Sequence, residues 1–394
     1  MGLVPVYAQV DGERYRNVMD SFGYNGLVEN GESIVYEMLT KCYNEKDYEL
    51  AAFALATFIV RYDGSEQIRE DQFWVMYKDI LKHDFNTVEQ VYTYLIDCYG
   101  ESGQLCFYLA AAYYDTERYE KAVKMYEKSI NLWADSIISG QIPPLNVHSS
   151  YMDLSQCYYY CGDYKKAIYV LNKAKSSYGA SHNMWEDFDI VAAQIQYVSE
   201  SPRKQIRKFS NWIKEYSDSW GAVSYWVNLR MKLCFKIKDY KKALAAIPDE
   251  EEYNEYDYLF RAMCYHKLGK TGKAERDYRA AQRMAPDDLY VQAAVEIGIG
   301  DSAKAVNAIY RLVNSHIGDK DLIYQASYLF ARMGDYDHAL FYLEQALRSG
   351  FCDFATIDGN FDFDPIRNTE RFKSLVAKYK PVLPEVKLPK SKKR

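Results

Sequence analysis

The chain has 394 residues, of which 48% are hydrophobic and 26% charged, with 39 Tyr against 17 Phe and 6 Trp and a formal net charge of −6. Its 10 Pro and 20 Gly are too few for a disordered or loop-dominated chain. Lys and Arg are interspersed with Asp and Glu, which argues against the concentrated basic face that nucleic acid needs, and no apolar run reaches the roughly 18–20 residues that span a bilayer.

Residues 1–31 read as a polar, Gly-rich lead. The apolar stretch closing on Val6-Tyr7-Ala8 has the end of a secretory signal cleaved before Gln9, without a charged start or most of the apolar core. A truncated signal and a plain apolar stretch both remain open. The first would place the protein in the periplasm or cell envelope, the second in the cytoplasm. From Glu32 a helical pattern runs to Tyr43, and Asp47-Tyr48 opens a second with Ala51, Leu55 and Phe58 on one stripe. Residues 66–82 and 86–99 are expected to form another helix pair, with Asn86 or Thr87 as N-cap.

A pair at 103–133 follows, its second helix continuing to Ser139 and stopped by Gly140 and Pro143-Pro144. The step from Ala122 to Ala167 is then longer than later steps, so residues 140–147 are read as a loop insertion. Tyr151–Ala174 is the most regular stretch. Tyr151, Leu154, Ser155 and Tyr158 line one helix face, Ala167, Leu171 and Ala174 line the next, and Gly162 turns between them. Further pairs are expected at 184–216, with Ser201-Pro202 as a helix start, and at 222–247, cut short by Pro248. Others follow at 255–286 and 288–315, the last full copy ends near Ser349, and Asp249–Glu252 is read as a solvated linker.

The same order of small and bulky residues recurs. Leu109-Ala110 and Tyr113 precede Tyr119, Ala122, Tyr126 and Ser129. Ala262 and Tyr265 precede Gly269, Ala274, Tyr278, Ala281 and Pro286. Ser327 and Phe330 precede Gly334, Tyr336, Ala339, Leu343 and Ala346. This order resembles the tetratricopeptide repeat, a helix-turn-helix unit of about 34 residues. The resemblance implies an all-α fold, a right-handed α-solenoid of about eight or nine antiparallel helix pairs spanning residues 32–349. Gly350-Phe351, Asp364-Pro365-Ile366-Arg367 and Arg371-Phe372 are similar to the closing segment after the last repeat of many bacterial members. Residues 350–380 are therefore expected to cap the final repeat, and residues 381–394 to be a basic, disordered tail.

Catalytic chemistry is not evident. The six His are scattered, and the Ser-hydrolase elbow, the phosphate loop and the His-Glu-x-x-His zinc motif are all missing. Gly298-Ile299-Gly300 is read as an inter-helix turn rather than part of a nucleotide fingerprint. Of eight Cys, Cys42, Cys157, Cys234 and Cys264 fall late in first helices and are read as small buried fillers. No cofactor or metal is expected. An (α/α)-barrel glycosidase, or a glycan-binding envelope protein of that kind, is the alternative; its candidate carboxylates would be Asp362 and Asp364.

The resemblance also implies a function: a non-catalytic scaffold that binds a partner protein or extended peptide along its first helices, which line a concave groove. The helical offset nominates Tyr114, Tyr159, Tyr160, Phe235, Lys236, His266, Lys267, Tyr324, Tyr328 and Arg332. Tyrosine suits this role because its ring packs while its hydroxyl bonds to backbone. Members that clamp an acidic chaperone tail use Lys, Asn and Arg on first helices. Phe107, Ala111, Met152 and Gln156 stand at those places here, so that clamp is not expected.

Overall fold

The computed structural model describes residues 27–62, 65–134, 145–177, 185–215, 220–247 and 253–388. The signal-like start, most of the 140–147 insertion, Pro248 with the acidic run after it, and residues 389–394 of the tail lie outside the described residues. The described residues form nineteen α-helices, two short 3-10 turns and no strand. In chain order the helices are α1 (Leu27–Asn44), α2 (Tyr48–Arg61), α3 (Asp71–Tyr99), α4 (Gly103–Asp115), α5 (Tyr119–Leu132), α6 (Leu145–Tyr160) and α7 (Tyr164–Ser177). There follow α8 (Trp185–Ser199), α9 (Pro202–Glu215), α10 (Trp220–Lys236), α11 (Tyr240–Leu244), α12 (Glu255–Lys267) and α13 (Thr271–Met284). The last are α14 (Leu289–Ile299), α15 (Ser302–Ser315), α16 (Lys320–Met333), α17 (Tyr336–Arg348), α18 (Phe354–Gly359) and α19 (Glu370–Tyr379).

Sequential helices pack as pairs: α1 on α2, α4 on α5, α12 on α13, α14 on α15 and α16 on α17. First helices also neighbour first helices, α12 beside α14 and α14 beside α16. This is the stacking of an all-α solenoid, in which each pair buries its apolar stripe on the next. The stripe residues of the most regular stretch, Tyr151, Leu154, Ser155, Tyr158, Ala167, Leu171 and Ala174, are all buried. In the other copies Ala122, Tyr126, Ala274, Tyr278, Ala281, Phe330, Ala339 and Leu343 are buried, whereas Tyr336, at the first position of α17, is exposed.

The turns explain why the pairs recur. The residue before each second helix's cap lies at positive φ in Lys46, Glu117, Gly162, Lys238, Gly269, Gly300 and Gly334. At Asp47, Asp163, Asp239, Asp301 and Asp335 the next side chain accepts the amide three residues on, capping the helix it opens. Glycine is the residue of lowest cost for the left-handed position, which is why Gly162-Asp163-Tyr164 marks its turn so clearly.

The chain divides into two compact units, residues 1–157, 172–179 and 383–394 forming one and residues 158–171 and 180–382 the other. The continuous repeat region expected over 32–349 is thus partitioned, with the boundary inside α6 and α7.

In the first unit, the break expected at 86–87 falls at Asp84, whose φ of −144° interrupts α3. Asp84 itself is the cap: its carboxylate accepts the Thr87 amide at 3.1 Å and the Thr87 hydroxyl at 2.6 Å. Asn86 and Thr87 had the right chemistry but stand inside the turn that Asp84 starts. The tail also differs from its expectation. Leu383 and Leu388 are buried, Asn131 Nδ2 donates to the Lys387 carbonyl at 2.9 Å, and the Lys387 amide donates to Glu127 Oε1 at 2.6 Å. Residues 383–388 therefore lie extended on α5, because two leucines spaced along the tail give it apolar surface to bury.

In the second unit one core runs from Leu259 through the last pair and takes in Phe351, Phe354, Ile357, Phe363, Ile366, Phe372 and Val376. α19 packs on α17, and Arg371 donates to Asp337 at 2.8 Å. Gly298 lies within α14, where an added Cβ would come 2.1 Å from the Tyr278 ring. Gly298→Ala should therefore destabilise the protein by about 1–3 kcal/mol through overpacking, even though alanine is favoured by about 1 kcal/mol in an open helix. Urea midpoints of the two proteins measure it; an unchanged or raised midpoint would mean the Tyr278 ring yields without loss.

Cys42, Cys106, Cys157, Cys161, Cys234 and Cys264 are buried, as expected of the small fillers among them. Burial pushes the Cys264 and Cys161 thiols up to about 12, so both are held as inert neutral thiols.

Candidate partner-binding surface

Of the ten nominated residues, Tyr114 belongs to the first unit and the other nine to the second. Tyr114 ends α4, packs its ring 6.0 Å from that of Tyr119, and donates its hydroxyl to Gln156 Oε1. Nearby in the same unit are two carboxyls with no counterpart among the nominated residues, Asp153, part-buried on α6, and Asp115, more open to solvent at the end of α4. Tyr126 donates to Asp153 Oδ2 at 2.9 Å. Burial pushes the Asp153 carboxyl up to about 7, with the Tyr126 hydroxyl opposing and the charge of Asp115 adding to the rise. Asp115 is itself raised by burial, while a hydrogen bond from Tyr77 and the charge of Lys78 oppose. Each Asp sits in an otherwise ordinary helical pattern, and no local signal marks it.

In the second unit three of the nine nominated residues, Phe235, Tyr324 and Arg332, meet a single stretch of the chain, Phe351–Arg367. Tyr324 is buried, stacks on Phe351 with centroids 4.2 Å apart, and accepts a hydrogen bond from Asn360 Nδ2 at 3.2 Å. Arg332 grips Asp362 with two nitrogens, Nη2 to Oδ2 at 2.8 Å and Nε to Oδ1 at 3.2 Å. Phe235 is buried against Phe260 and Phe361, the latter at 4.9 Å between centroids. Lys236 is part-buried in the field of Asp364, Arg367 and Asp358, and burial is the main force lowering its ammonium. Tyr328 fits between Tyr290 and Tyr324, at 6.0 and 5.4 Å.

Tyr159 and Tyr160 are part-buried and meet edge to face at 5.4 Å, and Tyr159 also lies 6.2 Å from Tyr164. His266 and Lys267 stand apart at the exposed end of α12, where His266 borders a cleft with Glu275, Tyr278 and Ser302.

Further residues join this face that sequence reasoning passed over. Tyr164 donates to Asp358 Oδ2 at 2.6 Å, although it opens a second helix. Tyr197 of α8 donates to the Gly359 carbonyl at 3.4 Å, and Gly359 fits there because a Cβ would lie 3.1 Å from the Tyr197 ring. Tyr225 and Lys232 belong to the α10 stripe Tyr225, Leu229, Lys232, Lys236, spaced four, three and four residues apart. That spacing, read backward from Lys236, was the available signal for Lys232. The segment that meets the first helices thus offers alternating acids and aromatics, Asp358-Gly-Asn-Phe-Asp-Phe-Asp364. The surface answers with hydroxyls, rings and a guanidinium.

The family profile of the tetratricopeptide repeat matches residues 103–132, 258–288 and 321–349. These stretches correspond to the pairs α4–α5, α12–α13 and α16–α17. No curated protein matches the chain. Among the described residues no helix is long and apolar enough to cross a membrane.

Proposed function

We propose that this chain, which carries tetratricopeptide repeats, a kind of repeat that mediates protein–protein interaction, is a non-catalytic scaffold holding an extended segment of a partner protein on the first-helix face of its second unit. One observation carries this reading. That face already holds polypeptide, its own residues 358–362, through the Tyr164–Asp358, Tyr324–Asn360, Phe235–Phe361 and Arg332–Asp362 contacts. Such contacts combine ring packing with charge-assisted hydrogen bonds, the pairing that gives peptide recognition both affinity and register. Tyr159 and Tyr160 extend the same aromatic surface and are the residues through which a partner is expected to bind.

Affinity capture with quantitative proteomics tests this. Tyr159→Ala/Tyr160→Ala should lose at least 10-fold of the partner that the wild-type chain recovers, with an unchanged helical circular-dichroism spectrum. Equal recovery by the two proteins would remove the face from the binding site.

A further inference from the structure

In the first unit, two side chains of α5 hold the backbone of a single residue. The Lys387 amide donates to Glu127 Oε1 at 2.6 Å, and the Lys387 carbonyl accepts from Asn131 Nδ2 at 2.9 Å. Glu127 and Asn131 are four residues apart and so share one helix face. Such a clamp reads the main chain of an extended segment and leaves selection to the flanking side chains. Those flanks alternate: Leu383 and Leu388 are buried and Pro384 and Val386 half-buried, whereas Glu385 and Lys387 are exposed. This is the pattern of an extended segment laid along a surface. Beside the clamp lies a cleft of about 500 Å³, bordered by Met125, Leu132, Lys124 and Lys128 with Glu127 and Asn131. The hold on residues 383–388 is slight. Two of these residues are buried, and both bonds to α5 lie at exposed positions, where water competes for them. Segments with so few buried contacts open locally at low free energy.

We propose that the α5 face is a second peptide-binding surface, which takes an extended partner segment carrying apolar residues at the places of Leu383, Val386 and Leu388, and that residues 383–388 are a strap occupying it until such a segment displaces them. The clamped position of the partner accepts any residue with an amide N–H, so proline is excluded there. A strap joined to the same chain competes at an effective concentration on the order of millimolar when its linker is short, so the strap sets the affinity threshold for the partner. The surface is built on a second helix of the first unit, and neither this inference nor the first-helix face of the second unit depends on the other.

Fluorescence polarisation with a labelled peptide of residues 381–388 on the full chain tests this. Leu383→Asp/Leu388→Asp, which frees the strap, should bind the peptide at least 10-fold more tightly than the wild-type chain. Adding Glu127→Ala/Asn131→Ala should remove that gain, and a peptide carrying Lys387→Pro should not bind. Equal binding by the wild-type and freed chains, or binding indifferent to the clamp or to the proline, would overturn the proposal. Hydrogen exchange reads the same surface in the wild-type chain. Its Lys387 amide should be protected, and millimolar peptide should speed that exchange as the strap leaves. An unprotected amide, or one whose exchange the peptide does not change, would equally overturn it. A random peptide library displayed on phage and selected on the freed chain should enrich apolar residues at the three stated places; no enrichment would remove the partner. Protection of Lys387 that rises with protein concentration would assign the face to strap exchange between copies and end the partner reading.

Discussion

Asp277→Ala should lower stability by about 3–5 kcal/mol, the cost of breaking a buried ion pair by removing its carboxylate. Asp277, on α13, is buried, and its carboxylate takes Arg261 Nε at 2.6 Å and Nη2 at 2.9 Å from α12. The guanidinium also lies 4.7 Å from the Tyr253 ring centroid and 5.3 Å from that of Tyr258. It is therefore fixed in place and cannot turn out to water when its carboxylate is removed. The fork-to-carboxylate geometry further sets how α12 lies on α13, so the loss should appear in the cooperative transition of the whole second unit. Urea unfolding followed by circular dichroism measures it. The double change Arg261→Met/Asp277→Leu should recover most of the loss, because apolar residues of similar volume replace buried ion pairs well. A loss under about 1 kcal/mol in Asp277→Ala would place the pair in the exposed, weakly contributing class.

The second large effect is a pH dependence in the first unit. Burial holds Asp153 near 7, whereas an unfolded chain releases that proton near the usual value of about 3.9. Between these two values the folded chain binds a proton that the unfolded chain has lost. Stability is therefore full below about pH 4 and falls as pH rises towards 7, where Asp153 ionises in place. The difference in pKa corresponds to an upper bound on the order of 4 kcal/mol. Asp115, raised by burial, acts in the same direction. Asp153→Asn keeps an acceptor for the Tyr126 hydroxyl and has nothing to ionise. It should make the urea midpoint nearly level from pH 5 to pH 8, where the wild-type midpoint declines. A wild-type midpoint that rises over that range, or an equal decline in the variant, would rule out Asp153 as the source.

Much of the local structure was legible because it depends on neighbours in sequence. Gly162-Asp163-Tyr164 names its own turn: glycine takes positive φ, Asp163 caps the next helix, and Tyr164 begins it. The small residues Ser155, Ala167 and Ala174 mark close helix contact, and each is buried. Where such signals competed, the reading slipped by a few residues. Asp84, Asn86 and Thr87 all have capping chemistry, and only the backbone at Asp84 decides which one acts. Lys46, Glu117 and Lys238 show that a turn of the same geometry can form without its glycine.

The candidate site was legible in part for the same reason. The first-helix offset nominated Phe235, Tyr324 and Arg332 but could not say that each meets the Phe351–Arg367 stretch. The partners of Arg332 and Tyr164 lie 30 and 194 residues away in sequence. Asp362, entertained in sequence as half of a catalytic pair, is the counter-ion of Arg332.

By itself the sequence determined an all-α chain of helix pairs, the positions of most turns, and the small-residue seams along which helices nestle. These follow from backbone φ preferences and from a period of 3.6 residues, both of which act within a few residues. Only the tertiary structure decided that the chain forms two units, that Phe351–Arg367 lies against the first helices of the second, and which charges are matched there. Those outcomes depend on contacts between segments far apart in sequence, where burial sets the strength of every charge and no local pattern records the neighbour to come.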